Sequence, residues 1–299
     1  MEKIYLSDSG PKVSPAIYGF WRWTEKQAAD THSLERIVNL CLDLGINTFD
    51  HADVYGDYCA EATFGRLISQ KAINRQSLVL FTKCGQCVPG AHRPAYRVRH
   101  TNTSAAHIVA SVEASLKNLN TDYLDIFLLD GLDPLSPIEE TALALEKLRS
   151  SGKVKNIGVA NFTVFQHQLL ASLLRVPIVT NHIRLNLLNT EALDNGQIDY
   201  IKQRFMRPIA AEPLADGRIE NGTDPHATRV REQLQNLANQ YQVGIESLAV
   251  AWLCKLGALP LIGTLSETRI RNIAAGLSIQ LDHQDWYALY QASKSSNEE

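Results

Sequence analysis

The sequence predicts an α/β fold, a (β/α)8 TIM barrel with an N-terminal hairpin and an extra C-terminal helix. Three observations carry this reading: short apolar runs that are continuous rather than alternating, segments of helical period between them, and glycines where helices should stop. Continuous runs are expected of parallel strands covered on both faces. Eight recur, over 17–21, 47–50, 78–83, 123–129, 156–160, 178–181, 208–211 and 259–262. Before them, 4–6 and 13–14 form a hairpin candidate turned at Ser9-Gly10-Pro11. The helical period runs through 34–44 (Leu34, Ile37, Val38, Cys41, Leu44) and 103–119 (Ile108, Val112, Leu116, Leu119), then 137–149, 163–174, 229–241 and 266–275. Gly45 after Leu44, and Ser151-Gly152-Lys153 after Arg149, read as helix C-caps. Residues 282–295, with Trp286 and Leu289, form the extra helix outside the barrel, and the tail from 293 to 299 is expected to fray. An open doubly wound sheet fits less well, because the strands continue evenly to Ile262 and no G-x-G-x-x-G follows the first.

The 299 residues are expected to form one domain over 1–299, since α/β barrels commonly run ~250 residues as a single unit and no composition shift marks a linker. Hydrophobic residues make up 45% and charged residues 20%, an ordinary globular composition. Net charge is −3 and no Lys/Arg stripe is present, so nucleic acid is not an expected partner. The N-terminus lacks an apolar h-region and no stretch of ~20 apolar residues occurs, which reads as a cytoplasmic chain without a membrane span. Five cysteines in a chain of this length do not make a disulfide framework.

Active sites of such barrels lie at the carboxyl ends of the strands, and the loops 85–102 and 212–227 are long enough to build one. Asp50 ends the second apolar run, followed by His51-Ala52-Asp53-Val54-Tyr55-Gly56, and Lys83 ends the third. A lysine beside an aspartate makes a partly buried ion pair, and its ammonium favours the phenolate of a neighbouring tyrosine. That suits Tyr55 for general acid work on a carbonyl oxygen. Read from residues alone, Asp50–Lys83 is equally a stabilising pair with Tyr55 a loop aromatic. Trp21 and Trp23, with Arg22 between them, and His51 are candidates for the wall of a small-molecule substrate pocket, plain packing being the alternative for the tryptophans. Cys84-Gly85-Gln86-Cys87 is followed by Val88-Pro89-Gly90, a loop rather than the helix a redox dithiol starts. With only His92 and His100 as further ligands nearby, no metal site is assigned. No G-x-S-x-G, Walker loop or H-E-x-x-H is present.

The stretch GINTFDHADVYGDYCAEATFGRL over 45–67 resembles the aldo-keto reductase superfamily, with Asp50, Tyr55, Gly56, Glu61 and Gly65 on its pattern. Lys83 and the stretches 122–133, 151–162 and 260–272 extend the likeness over nearly the whole chain, most similar in spacing to the bacterial YdhF-type branch. The resemblance implies a (β/α)8 barrel that binds NADP(H) across its carboxyl end without a Rossmann motif. It implies an oxidoreductase in which Tyr55 donates a proton, Lys83 tunes it and Asp50 holds Lys83. Departures bear on the chemistry. Asp130 replaces the family's catalytic histidine, and an ionised carboxylate there repels a developing oxyanion. It would help only if protonated; a few relatives with an acid at this position reduce activated C=C bonds, and a degraded catalytic position is the alternative reading. For the cofactor, Asn161 is retained for the nicotinamide amide, His182 replaces the amide-binding glutamine and Ala211 the stacking aromatic. Thr264 and Arg269 remain for the 2′-phosphate, and Asn272 takes the adenine-side place. These replacements predict weaker cofactor affinity than in a typical relative. They leave two rivals to reduction of a carbonyl or C=C bond: a non-redox lyase, dehydratase or isomerase using Tyr55, Lys83 and Asp50, and a non-catalytic binding or regulatory member.

Overall fold

The computed structural model describes residues 1–24, 27 and 30–294; the last residue of the predicted final helix and most of the tail expected to fray, 295–299, lie outside them. A short antiparallel pair, β1 (Ile4–Tyr5) and β2 (Lys12–Val13), precedes the barrel. Eight parallel strands then close on themselves. They are β3 (Ile17–Gly19), β4 (Thr48–Asp50), β5 (Val79–Cys84), β8 (Ile126–Asp130), β9 (Ile157–Ala160), β10 (Ile178–Arg184), β11 (Ile209–Ala211) and β12 (Leu259–Ile262). The hairpin, the closed barrel and the C-terminal helix match the fold expectation.

Each strand divides its apolar residues between two layers. Ile17, Phe81, Leu128, Ala160, Val179, Ile209 and Leu261 pack in the barrel lumen, where Leu6 and Val13 of the hairpin join them. Phe49, Leu80, Phe127 and Val159 pack outward against helices α1 (Thr31–Asp43), α3 (Ala60–Ser69), α4 (Ala105–Asn118) and α5 (Ile138–Ser150). This double coverage is why the strands carry no polar alternation.

Three differences from the sequence reading bear on the site. The first strand ends at Gly19, two residues early, because Trp21 folds back over it. A Cβ at Gly19 would lie 2.4 Å from the Trp21 ring, so only glycine admits this fold-back. β10 runs three residues past its predicted end, with a register shift between Ile178 and Asn181, and carries His182 into the site. The long loops are partly ordered: 85–102 holds the antiparallel strands β6 (Gln86–Cys87) and β7 (His100–Thr101). Within 212–227, a short helix α9 (Arg218–Asn221) precedes α10 (Pro225–Tyr241), which starts four residues early on Asp224 as N-cap and Pro225 in its first turn. The last helix, α13 (His283–Ser293), lies outside the barrel, with Trp286 stacked on Trp252 of α11 (Ile245–Leu256) at 5.1 Å.

Candidate active site

Period-two alternation along β5 turns Phe81 and Lys83 toward the lumen and Leu80 and Thr82 toward the helices. At the carboxyl end the Lys83 ammonium donates to both Asp50 carboxylate oxygens at 2.7 Å and to the His51 carbonyl at 2.9 Å. All three ammonium protons are thereby used, which a buried lysine requires. Burial pulls the Lys83 pKa down, and Asp50, Tyr55 and Asp130 more than reverse it, so the ammonium stays charged.

Backbone bonds hold the following loop across the strand ends. His51 N–H donates to Phe81, Asp53 N–H to Lys83 and Tyr55 N–H to Ala52. Tyr55 opens the short helix α2 (Tyr55–Tyr58), in which Gly56 and Asp57 are left-handed. The Lys83 nitrogen sits 4.8 Å from the centre of the Tyr55 ring. Burial pushes the phenol above its ordinary range against the pull of Lys83, so Tyr55 holds its proton. Sequence and structure thus bring Asp50, Tyr55 and Lys83 together.

Asp130 ends β8 facing the same centre. Burial pushes its carboxyl up, while Lys83, the Asn161 hydrogen bond and Arg99 pull it down, and the net direction is upward. Asn161, directly after β9 and left-handed at φ 59°, donates from its amide to Asp130 Oδ1 at 2.7 Å. The backbone N–H of Asn161 in turn donates to the His182 carbonyl at 2.8 Å. His182 is buried, and desolvation followed by the Lys83 charge takes its pKa well below the usual imidazole value. Its Nε2, like Asn181 Oδ1, is buried with no partner among the described residues. The two side chains leave β10 on opposite faces, Asn181 level with the outward Val159 and His182 level with the lumenal Ala160 and Ile209, so only the His182 Nε2 is turned toward the barrel interior, where it suits one bond of a carboxamide.

On the β12 side a cleft of about 380 Å³ is lined by Trp21, Arg22, Thr264 and Arg269, together with acidic groups from the 212–227 segment. Asp50, Tyr55, Lys83 and Asp130 lie outside its lining. Arg269, in the first turn of α12 (Glu267–Gly276), pairs with Glu220, and through Nε with Glu246 at 3.0 Å. Asn272 does not reach the cleft; its amide donates to Glu246 at 3.0 Å. Arg22 pairs with Asp216 at 2.6 Å across the cleft.

Two expectations are corrected. His51 is not a pocket wall: it is fully buried and stacked on Phe20 at 4.3 Å, with its pKa lowered to about 3 by burial and by Lys83. Trp23 is a core residue, 3% exposed, donating to the Tyr18 hydroxyl at 3.2 Å. Its carbonyl lies where a Cβ on Gly56 would meet it at 2.7 Å, so it shapes the Tyr55 turn from behind. Trp21 does line the cleft. Cys84 and Cys87 are buried free thiols, and His92 lies against Cys59 and Asp57 instead. No group of three His, Cys, Asp or Glu able to hold a metal occurs among the described residues. No described helix is long and apolar enough to cross a membrane. Sequence reasoning missed Asp53, Glu220 and Glu246. The latter two have no local signal, since they meet Arg269 only through the fold.

A closed parallel barrel with a buried Lys–Asp pair beside a tyrosine at its carboxyl end is the architecture of a TIM-barrel oxidoreductase. The chain belongs to the aldo/keto reductase family, whose model matches residues 15–294 and whose members use nicotinamide cofactors. It is 36% identical to a 6-dehydroglucose reductase of Agrobacterium fabrum, over 97% of each chain. It is 37% identical to an uncharacterized oxidoreductase, YcsN, of Bacillus subtilis, over 98% of each. To the oxidoreductase YdhF of Escherichia coli it is 33% identical, over 98% of each. Its fold is similar to the crystal structure of a thermostable aldo-keto reductase, Tm1743, in complex with epalrestat. The TM-score is 0.83 at 19% identity, covering 98% of this chain and all of that one.

Proposed function

We propose that the chain is an NADP(H)-dependent reductase of a small polar carbonyl compound, with Tyr55 as proton donor. The arrangement of Tyr55 beside the buried Lys83–Asp50 pair carries this reading. The bound cofactor supplies hydride. Tyr55 stays protonated in the resting site and hands its proton to the oxygen as negative charge develops there. Lys83 stabilises the phenolate left behind, and Asp50 keeps the ammonium charged and oriented. Asn161 and the His182 Nε2 suit the nicotinamide carboxamide, while Thr264 and Arg269 suit the adenosine end. The likeness to a 6-dehydroglucose reductase favours a sugar-derived aldehyde as the carbonyl compound. Burial of Asp130 favours its neutral form, which would donate a hydrogen bond to the substrate oxygen where an ionised carboxylate would repel it. That same property keeps reduction of an activated C=C bond as the second reading. NADPH-dependent turnover of a panel of sugar aldehydes and enones tests both. No binding of either nicotinamide dinucleotide at millimolar concentration would sink the reductase reading in favour of non-redox acid/base chemistry or a binding role.

A further inference from the structure

The adenosine-side cleft carries more negative than positive charge. Its two arginines are Arg22 and Arg269, and its acids are Glu212, Asp216, Glu220 and Glu246. Both arginines are already paired, Arg22 with Asp216 and Arg269 with Glu220 and Glu246. The two carboxylates on Arg269 differ in how firmly they are held. Glu246 stands in the first turn of α11 with its side chain 13% exposed, and it also accepts the Asn272 amide at 3.0 Å. Glu220 rides on the short helix α9 with its side chain 47% exposed.

A second cation does not offset them. Ser266 stands at the start of α12, where its hydroxyl accepts the Arg269 N–H as an N-cap. The Thr264 hydroxyl accepts the Ser266 N–H at 3.2 Å. With Glu220 in place, the charge at Arg269 is net negative; with Glu220 swung away it is nil, because Glu246 remains. A phosphate dianion gains little from such a position, whereas ribose hydroxyls gain carboxylate acceptors.

We propose that Glu220 and Glu246 set the cofactor selectivity of this site by holding Arg269 and offering acceptors to an unphosphorylated adenosine ribose, so that NADH is bound as readily as NADPH. The proposal rests on the nicotinamide reading of the site and revises its NADP(H) preference.

Direct binding by protein-fluorescence quenching tests it, with NADH and NADPH as probes and 5′-ADP and 2′,5′-ADP as the fragment pair. The wild type should bind NADH and NADPH within about tenfold of each other. Glu220→Gln, on an exposed surface helix, should tighten NADPH and 2′,5′-ADP by about five- to tenfold relative to NADH and 5′-ADP, since one unit charge is removed beside the phosphate. Glu246→Gln should act in the same direction. A wild type that prefers NADPH by a hundredfold, or variants that move both probes of a pair equally, would overturn the proposal. Failure of both dinucleotides to bind overturns the nicotinamide reading itself and the proposal with it.

Discussion

The two ends of the carboxyl face are both built on opposite charges, yet they are different kinds of structure. At the reaction centre, Lys83 and Asp50 are 3% and 2% exposed, and every ammonium proton has an acceptor. At the cleft mouth, Arg22 and Asp216 are 43% and 50% exposed and joined by one bond. A buried pair cannot lose one member without stranding the other in a medium that does not solvate it. An exposed pair can open, and water takes over each partner. The centre is therefore set before any ligand arrives, while the cleft can rearrange around one.

The largest effects should come from breaking the fixed end. Tyr55→Phe should lower kcat by about 10²–10⁴-fold with little change in cofactor Kd, because it removes the acid and leaves the pair intact. Steady-state kinetics alongside a binding titration check this, and unchanged turnover would remove Tyr55 from its role. Lys83→Met should also abolish turnover and, unlike Tyr55→Phe, lower unfolding stability by about 3–5 kcal/mol by leaving Asp50 uncompensated. Chemical denaturation of the two variants side by side separates chemistry from support. Equal stabilities would mean that Asp50 is neutral and the pair is not what fixes the centre.

That contrast also explains what was legible in the sequence. Asp50, Tyr55 and Lys83 lie at or beside the ends of adjacent strands, so once the barrel is recognised their convergence follows from local placement. Burial and facing are harder. Trp21 and Trp23 look alike in sequence, but the first folds over Gly19 to line the cleft and the second turns into the core toward Tyr18. His51 adjoins a catalytic candidate yet faces Phe20 rather than the mouth. At the cleft, Arg269 meets carboxylates from α9 and α11, and Arg22 meets an acid 194 residues away. Pairings of that range have no local period or motif.

A smaller effect should appear in the layer behind the centre. Asp53 is pushed up to about 7, first by burial and then by the Glu61 charge, against a hydrogen bond from Ser111. Its folded-state pKa exceeds that of the unfolded chain, so between about pH 4 and pH 7 the folded state binds more protons. This contribution to stability is complete below the unfolded pKa and is lost as pH rises toward 7. Asp53→Asn should therefore flatten the decline in urea midpoint across that range relative to wild type. An unchanged slope would show that Asp53 is ionised in the folded protein.

The smallest effect belongs to the exposed end. Asp216→Ala should change unfolding stability by less than about 1 kcal/mol, the usual worth of an exposed pair. Its consequence should lie in exchange instead, because Arg22 joins the loop after β3 to the 212–227 segment and Asp216 is its acidic partner there. If that segment must part from Arg22 to admit a dinucleotide, removing the tie speeds entry, and the Arg22 it frees for the phosphates tightens Kd modestly. Stopped-flow quenching at low and high salt reads this directly. Added salt should narrow the gap in entry rate between wild type and variant, since the ~8–10 Å screening length at 0.1–0.15 M weakens both the exposed pair of the wild type and the attraction of the freed Arg22 for the phosphates. A wild type whose rates ignore salt, or a variant whose rates match the wild type at low salt, would show that the cleft is as fixed as the centre.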